Sequence, residues 1–360
     1  DMVYDDLTEA VGQVVERVST PWTREDARTL AALSAAGLVF VAALLLATTP
    51  PDALTALDSY SVTRYNVIAG AIGIVAALLV TATSAVMTRK YPQASGIALA
   101  HTVPFLTAAS ALRLSQSHWD TAGWGWTGLG LLIGSLAVLA LPKRYRISIA
   151  APLVVGTVLA ATGLLVRLGQ LSQAGISAIL FALVIVLLQV APWIALAHIP
   201  VRILDADTTE QIPAKGITDQ VSTSFVFVVA LRAGGAIAAL FLAVALMTAP
   251  ETRSISLPLT LIVLGAVSLV LQTRSIRARV EVLLGALTGL IVILVATVLG
   301  AYADPRTMPW LTLSAIATAL VLVITNVVGP RARPHLTRLA DTISVLSLFV
   351  LLPLAVYLWS

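Results

Sequence analysis

The chain has 360 residues, 58% of them hydrophobic and only 11% charged, with a formal net charge of +4 and no cysteine. A soluble domain carries about 25% charged residues, so an ordinary water-soluble globule is excluded. Without cysteine there are no disulfides, no thiolate metal sites and no cysteine nucleophile.

Residues 1–28 read as a tail with one short helix and a linker. Val3, Leu7, Val11, Val14, Val15 and Val18 recur at helical spacing. Asp6 followed by Glu9 has the form of a capping box. An amphipathic helix from Leu7 to Val18 is expected, with Asp5, Asp6, Glu9 and Glu16 making its polar face acidic. An acidic face disfavours anionic lipid and favours packing against protein. Pro21 and Trp22 end that helix, and Trp22 suits an interfacial anchor.

Eleven apolar runs follow: Thr29–Thr49, Tyr65–Met87, Ala94–Leu114, Ala122–Leu141, Ile147–Leu168, Gln173–Leu196, Phe225–Thr248, Ser256–Gln272, Val282–Ala301, Trp310–Val328 and Leu339–Leu358. Each is about 20 residues, the length an α-helix needs to cross ~30 Å of hydrocarbon. The pattern predicts an all-α, polytopic transmembrane bundle. Residues 29–196 hold six crossings and residues 225–360 hold five. The polar connection 197–224, with Asp205, Asp207, Glu210, Lys215 and Asp219, divides them.

The cations alternate from one connecting segment to the next. With Arg113 and Arg167 counted in the loops they border, odd-numbered segments hold 16 Lys and Arg and even-numbered ones 5. Basic segments stay cytosolic, so the N-terminus is expected inside and Ser360 outside. The excess positive charge then reads as topology and headgroup contact, not as a nucleic-acid surface. Arg232 stands apart, near the start of the seventh run, and is expected to snorkel to the interface.

No acid falls at mid-depth of a run. Glu281 and Asp341 lie at helix starts, where they suit the dipole and can meet Arg277 or Arg338. An ionisable group at the midplane is a functional flag by default. Its absence argues against a proton- or cation-coupled pump.

Candidate chemistry is sparse. Of His101, His118, His198 and His335, only His101 lies inside a run, and no pairing at metal-ligand spacing occurs. His101 with Pro104 reads as a kink and its local repair through an interhelical hydrogen bond, and Pro353 is a second candidate kink. Gly130 with Gly134, Gly235 with Ala239, and Gly285 with Gly289 have the small-xxx-small spacing of close helix packing. That packing is expected within the chain, with a homodimer face as the alternative. Asp52 and Asp58 occupy the first external loop, where lipid-linked glycosyltransferases place a catalytic acid. The external loops are too short to hold an acceptor, and Asp52 after Pro50-Pro51 reads as turn chemistry. Neither a GxxxxGK[ST] phosphate loop nor a GxSxG elbow is present. No catalytic, cofactor or metal residue is assigned.

The tail Val3-Tyr4-Asp5-Asp6-Leu7 with Pro21-Trp22, the run His198-Ile199-Pro200-Val201-Arg202, and the six-plus-five division together resemble the EccD family. EccD is the polytopic membrane component of the actinobacterial ESX, or type VII, secretion system. The resemblance covers the entire chain. It implies a bacterial inner-membrane scaffold that pairs as a dimer around a lipid-facing vestibule and holds other membrane subunits and the secretion ATPase. Family members carry a ubiquitin-like domain ahead of the bundle, which would precede Asp1. The tail and the 197–224 connection are then the expected docking elements, with Trp22, Arg24, Arg28, Arg202 and Lys215 as candidate contacts. Expected partners are a second copy, the other subunits, the ATPase and lipid, with no nucleic acid and no cofactor. The alternative reading is a secondary transporter or permease with a five-plus-five inverted repeat.

Overall fold

The computed structural model describes residues 24–48, 59–90, 95–116, 121–137, 149–169, 171–197, 214–250, 255–272, 279–303 and 333–359, with isolated positions between 308 and 316. The expected tail helix, Trp22, Asp52, Asp58, Arg202, Arg277 and nearly all of the tenth run lie outside the described residues. Among the described residues the fold is all-helical. Ten helices occur in order: α1 (Arg24–Thr48), α2 (Ser59–Lys90), α3 (Ser95–Leu114), α4 (Thr121–Ala137), α5 (Ala150–Gly169), α6 (Gln173–Ala197), α7 (Ala214–Met247), α8 (Ser256–Gln272), α9 (Arg279–Ala303) and α10 (Arg333–Trp359). Eight of these are long and apolar enough to span a membrane, and α8 is a shorter apolar helix.

Local chemistry explains the helix ends. Pro152, Pro258 and Pro334 lie in the first turns of α5, α8 and α10, where a missing N–H costs no hydrogen bond. At the end of α3, Gln116 adopts φ 53°, and its N–H reaches back to the Arg113 carbonyl at 3.0 Å. This left-handed residue turns the chain away from the helix. The long α7 starts at Ala214, directly after Pro213. Its first turns therefore belong to the stretch expected as loop, and Lys215 and Asp219 are helical.

Hydroxyls inside the spans are satisfied locally. Thr81, Thr127, Ser135, Thr162 and Thr297 each donate to the carbonyl four residues back, at 2.7–2.8 Å. This removes the cost of a bare donor in a dry interior.

Two packed groups emerge. In the first, α3 is the hub, flanked by α1, α2 and α4, with α5 beyond α4. In the second, α6, α7, α9, α8 and α10 form a closed ring of neighbours, and α6 also touches α8. The groups join where α5 meets α7. The ring encloses the largest core, in which Ala178, Ala182, Ala238, Ala239, Ala243, Ala266, Ala296 and Ala355 are buried around Phe181, Ile185, Leu242 and Leu261. Lipid gives helices no hydrophobic reason to associate, so small side chains that admit close backbone contact carry the packing. Phe181 fills such a space: a β-carbon on Gly265 would lie 2.6 Å from its ring.

Burial follows this arrangement. In α6, 61% of the span is buried, against 17% in both α1 and α10. The outward faces of α1, α2 and α10 carry Leu38, Ile72, Leu78, Leu79 and Phe349, all strongly exposed. A surface of this kind suits hydrocarbon.

Candidate functional site

The small-residue pairs serve the chain itself. A β-carbon at Gly134 would stand 2.7 Å from the Pro104 Cα, and one at Gly130 2.7 Å from the Ala108 Cα, so both bring α4 onto α3. Gly235 faces the Leu188 side chain on α6, and Gly289 faces Val270 and the Ala266 carbonyl on α8. Ala239 is wholly buried in the ring core, and Gly285 lines a small pocket beside Arg232 and Gln272. Gly128, which the spacing rule did not single out, meets the Ala160 backbone nitrogen and the Gly156 carbonyl on α5.

His101 is not the interhelical linker expected of it. Its Nδ1 donates to the Ile97 carbonyl at 2.7 Å, one turn back on α3. The bond across to α4 comes instead from Thr107, which donates to the Gly130 carbonyl at 2.7 Å. Pro104 is fully buried within α3, and Pro353 lies within α10; both helices continue through the proline.

Of the candidate contact residues, Arg24 is the first residue of α1, Arg28 is exposed one turn later, and Lys215 is second in α7. All three thus lie in the first turns of their helices.

The polar site that sequence reasoning missed sits where α6, α7, α8 and α9 converge. Arg232 on α7 does not snorkel. Its Nη1 meets Glu281 Oε2 on α9 at 3.0 Å, and the two side chains are only 6% and 10% exposed. Glu281 therefore serves a residue on another helix, beyond its role at the start of its own. Nearby, Gln189 on α6 hydrogen-bonds the Ser268 hydroxyl on α8. Gln272 on α8 returns a bond to the Gln189 carbonyl at 3.1 Å. The result is a polar seam across four helices at one end of the ring, with the ion pair buried and the two glutamine bonds half-buried. Sliding one of these helices past the others would break these bonds and strand a buried charge.

A second polar tie holds the first group. Arg113, near the end of α3, donates to the Leu46 carbonyl on α1 and, at 3.4 Å, to Asn66 Oδ1 on α2. One guanidinium thus links three helices, beside the Ser84 hydroxyl on α2, which donates to the Gly96 carbonyl on α3 at 2.8 Å.

Two apolar grooves open beside these helices. One of about 350 Å³ lies among α1, α3, α4, α5 and α7, between Phe40, Phe105, Leu131, Val155 and Phe241. Another of about 580 Å³ lies among α2, α3 and α4, past Ile74, Val103, Trp126 and Ile133. Neither wall offers the convergent polar groups that a catalytic or ion site needs.

The EccD-like transmembrane domain model matches residues 27–360. The chain belongs to the EccD family. As an EccD-family chain it is a multi-pass membrane protein. Its fold is shared by protomer 1 of the ESX-3 core complex, with a TM-score of 0.70 at 17% identity over 99% of this chain and 81% of that one. The MycP5-free ESX-5 inner membrane complex, State II, gives a TM-score of 0.67 at 16% identity over 91% of this chain and 77% of its own. No curated protein sequence matches.

Proposed function

We propose that this EccD-family chain is a membrane scaffold of a type VII (ESX) secretion complex in the inner membrane, performing no chemistry of its own. The observation that carries this reading is the family match over residues 27–360, on a bundle whose polar groups tie helix to helix. The apolar outer faces of α1, α2 and α10 and the two lateral grooves supply surfaces for lipid, a second copy and other membrane subunits. Eleven crossings, with the N-terminus cytosolic and the C-terminus outside, follow from the alternation of basic segments.

In this reading the secretion ATPase docks on the cytosolic tail and the 197–224 connection. The helical start of α7 gives that connection a rigid end, with Lys215 on it. Reversing Arg202 and Lys215 to Glu should lower recovery of the ATPase with the tagged chain in mild detergent, while membrane insertion is retained. Unchanged recovery removes the docking role from this connection. Uptake of a small molecule by proteoliposomes of the lone chain would replace the scaffold with a permease.

A further inference from the structure

A third groove, of about 230 Å³, opens between α4 and α5. Its floor is a close approach of two backbones. Gly125 and Gly163 are both buried, and a β-carbon at Gly125 would lie 3.3 Å from the Gly163 Cα. With no side chain on that floor, the space between the walls stays open. Trp126 and Leu129 on α4 form one wall, and Leu164 and Leu168 on α5 form the other. Ala122 and Arg167 lie at the mouth, since α4 starts at Thr121 and α5 ends at Gly169. From Ala122 to Leu129 the groove runs about 10 Å along the helix, at about 1.5 Å per residue.

Trp126, Leu164 and Leu168 are exposed, so the groove faces the bilayer. Arg167 is exposed as well, and it is the one charged residue lining the groove. An arginine in the last turn of a span turns its guanidinium to the headgroup level, where its planar fork matches phosphate. Trp126 and Leu129 also line the 580 Å³ groove on the other side of α4. One aromatic ridge therefore separates two apolar grooves, with a cation at the mouth of one. We propose that this ridge seats one anionic phosphoglyceride with two acyl chains. Its phosphate pairs with Arg167, one chain lies in the α4–α5 groove, and the other crosses Trp126 into the groove among α2, α3 and α4. Charge complementarity selects the headgroup, and the paired grooves select two chains. A partner's transmembrane helix, about 10 Å across, is too wide for the α4–α5 groove. The inference rests on the membrane fold and is independent of the secretion role.

Native mass spectrometry of the intact chain, exchanged into detergent with equimolar phosphatidylglycerol and phosphatidylcholine, tests the site. After collisional activation, one phosphatidylglycerol should stay bound at several-fold the level of phosphatidylcholine. Arg167→Gln should abolish that preference and Arg167→Lys should keep most of it, both with the gel-filtration profile of the parent. Ala122→Phe fills the mouth with Arg167 intact, and should cut retention several-fold. Lysophosphatidylglycerol, with the same headgroup and one chain, should be held several-fold less than the two-chain lipid. Equal retention of the two phospholipids by the parent overturns the proposal, as does an undiminished preference in Arg167→Gln or equal retention of the one-chain lipid. Retention that appears only in Asp120→Asn also overturns it. That acid, next before α4 in the sequence, would then hold the guanidinium in the native chain.

Discussion

Removing Glu281 gives the sharpest energetic test of the seam. Glu281→Ala leaves the Arg232 guanidinium buried without its ion-pair partner, since its Nε and Nη2 have no hydrogen-bond partner among the described residues. Stranding one member of a buried pair costs about 3–5 kcal/mol. Replacing both, Arg232→Met with Glu281→Leu, removes the desolvation penalty along with the attraction, and should be neutral or stabilising by about 1–4 kcal/mol. The two outcomes have opposite sign, so the cycle separates a stranded charge from a general packing defect. Equilibrium unfolding in mixed SDS and non-ionic micelles, followed by tryptophan fluorescence, measures both. If Glu281→Ala lies within about 0.5 kcal/mol of the parent, as surface substitutions do, the pair is hydrated and the buried seam is refuted.

Three further outcomes are expected. Gly134→Ala forces a β-carbon to 2.7 Å from the Pro104 Cα and should destabilise by about 1–3 kcal/mol, whereas Gly37→Ala meets nothing within 4 Å and should stabilise by about 0.5–1 kcal/mol, both in the same unfolding assay. Arg113→Ala should speed amide exchange at the end of α1 near Leu46, at a cost of about 1.5–3 kcal/mol for the lost charged hydrogen bonds; unchanged exchange there means that the tie does not hold α1. Because the chain has no cysteine, Ser360→Cys gives a clean topology probe. An impermeant thiol reagent should label it from outside in intact cells, and labelling only after permeabilisation contradicts the proposed orientation.

The helices were legible because a membrane imposes a one-dimensional code of length and hydropathy. The run Gln173–Leu196 became α6 (Gln173–Ala197), and Ser256–Gln272 became α8 without a shift. Polar extensions escaped the same code, since hydropathy says nothing of a helix that continues into water; α7 begins well before Phe225 for that reason. The seam was illegible for a different cause. Gln189, Arg232, Ser268, Gln272 and Glu281 lie on four helices, and no periodicity within one helix relates them. Arg232 near the start of an apolar run fits snorkelling and pairing equally well, and only the approach of α9 decides between them. For His101 the error ran the other way: a lone polar residue in a span invited an interhelical partner, while the Ile97 carbonyl one turn back on the same helix was nearer.

The scaffold role rests on assembly, so mass is its most direct measure. The tagged chain, extracted from its native membrane in mild detergent and weighed by native mass spectrometry, should arrive in a large complex of fixed stoichiometry with the ATPase and further membrane subunits. A lone monomer in its lipid shell, under conditions where the ATPase still pellets with the membrane, would contradict the account.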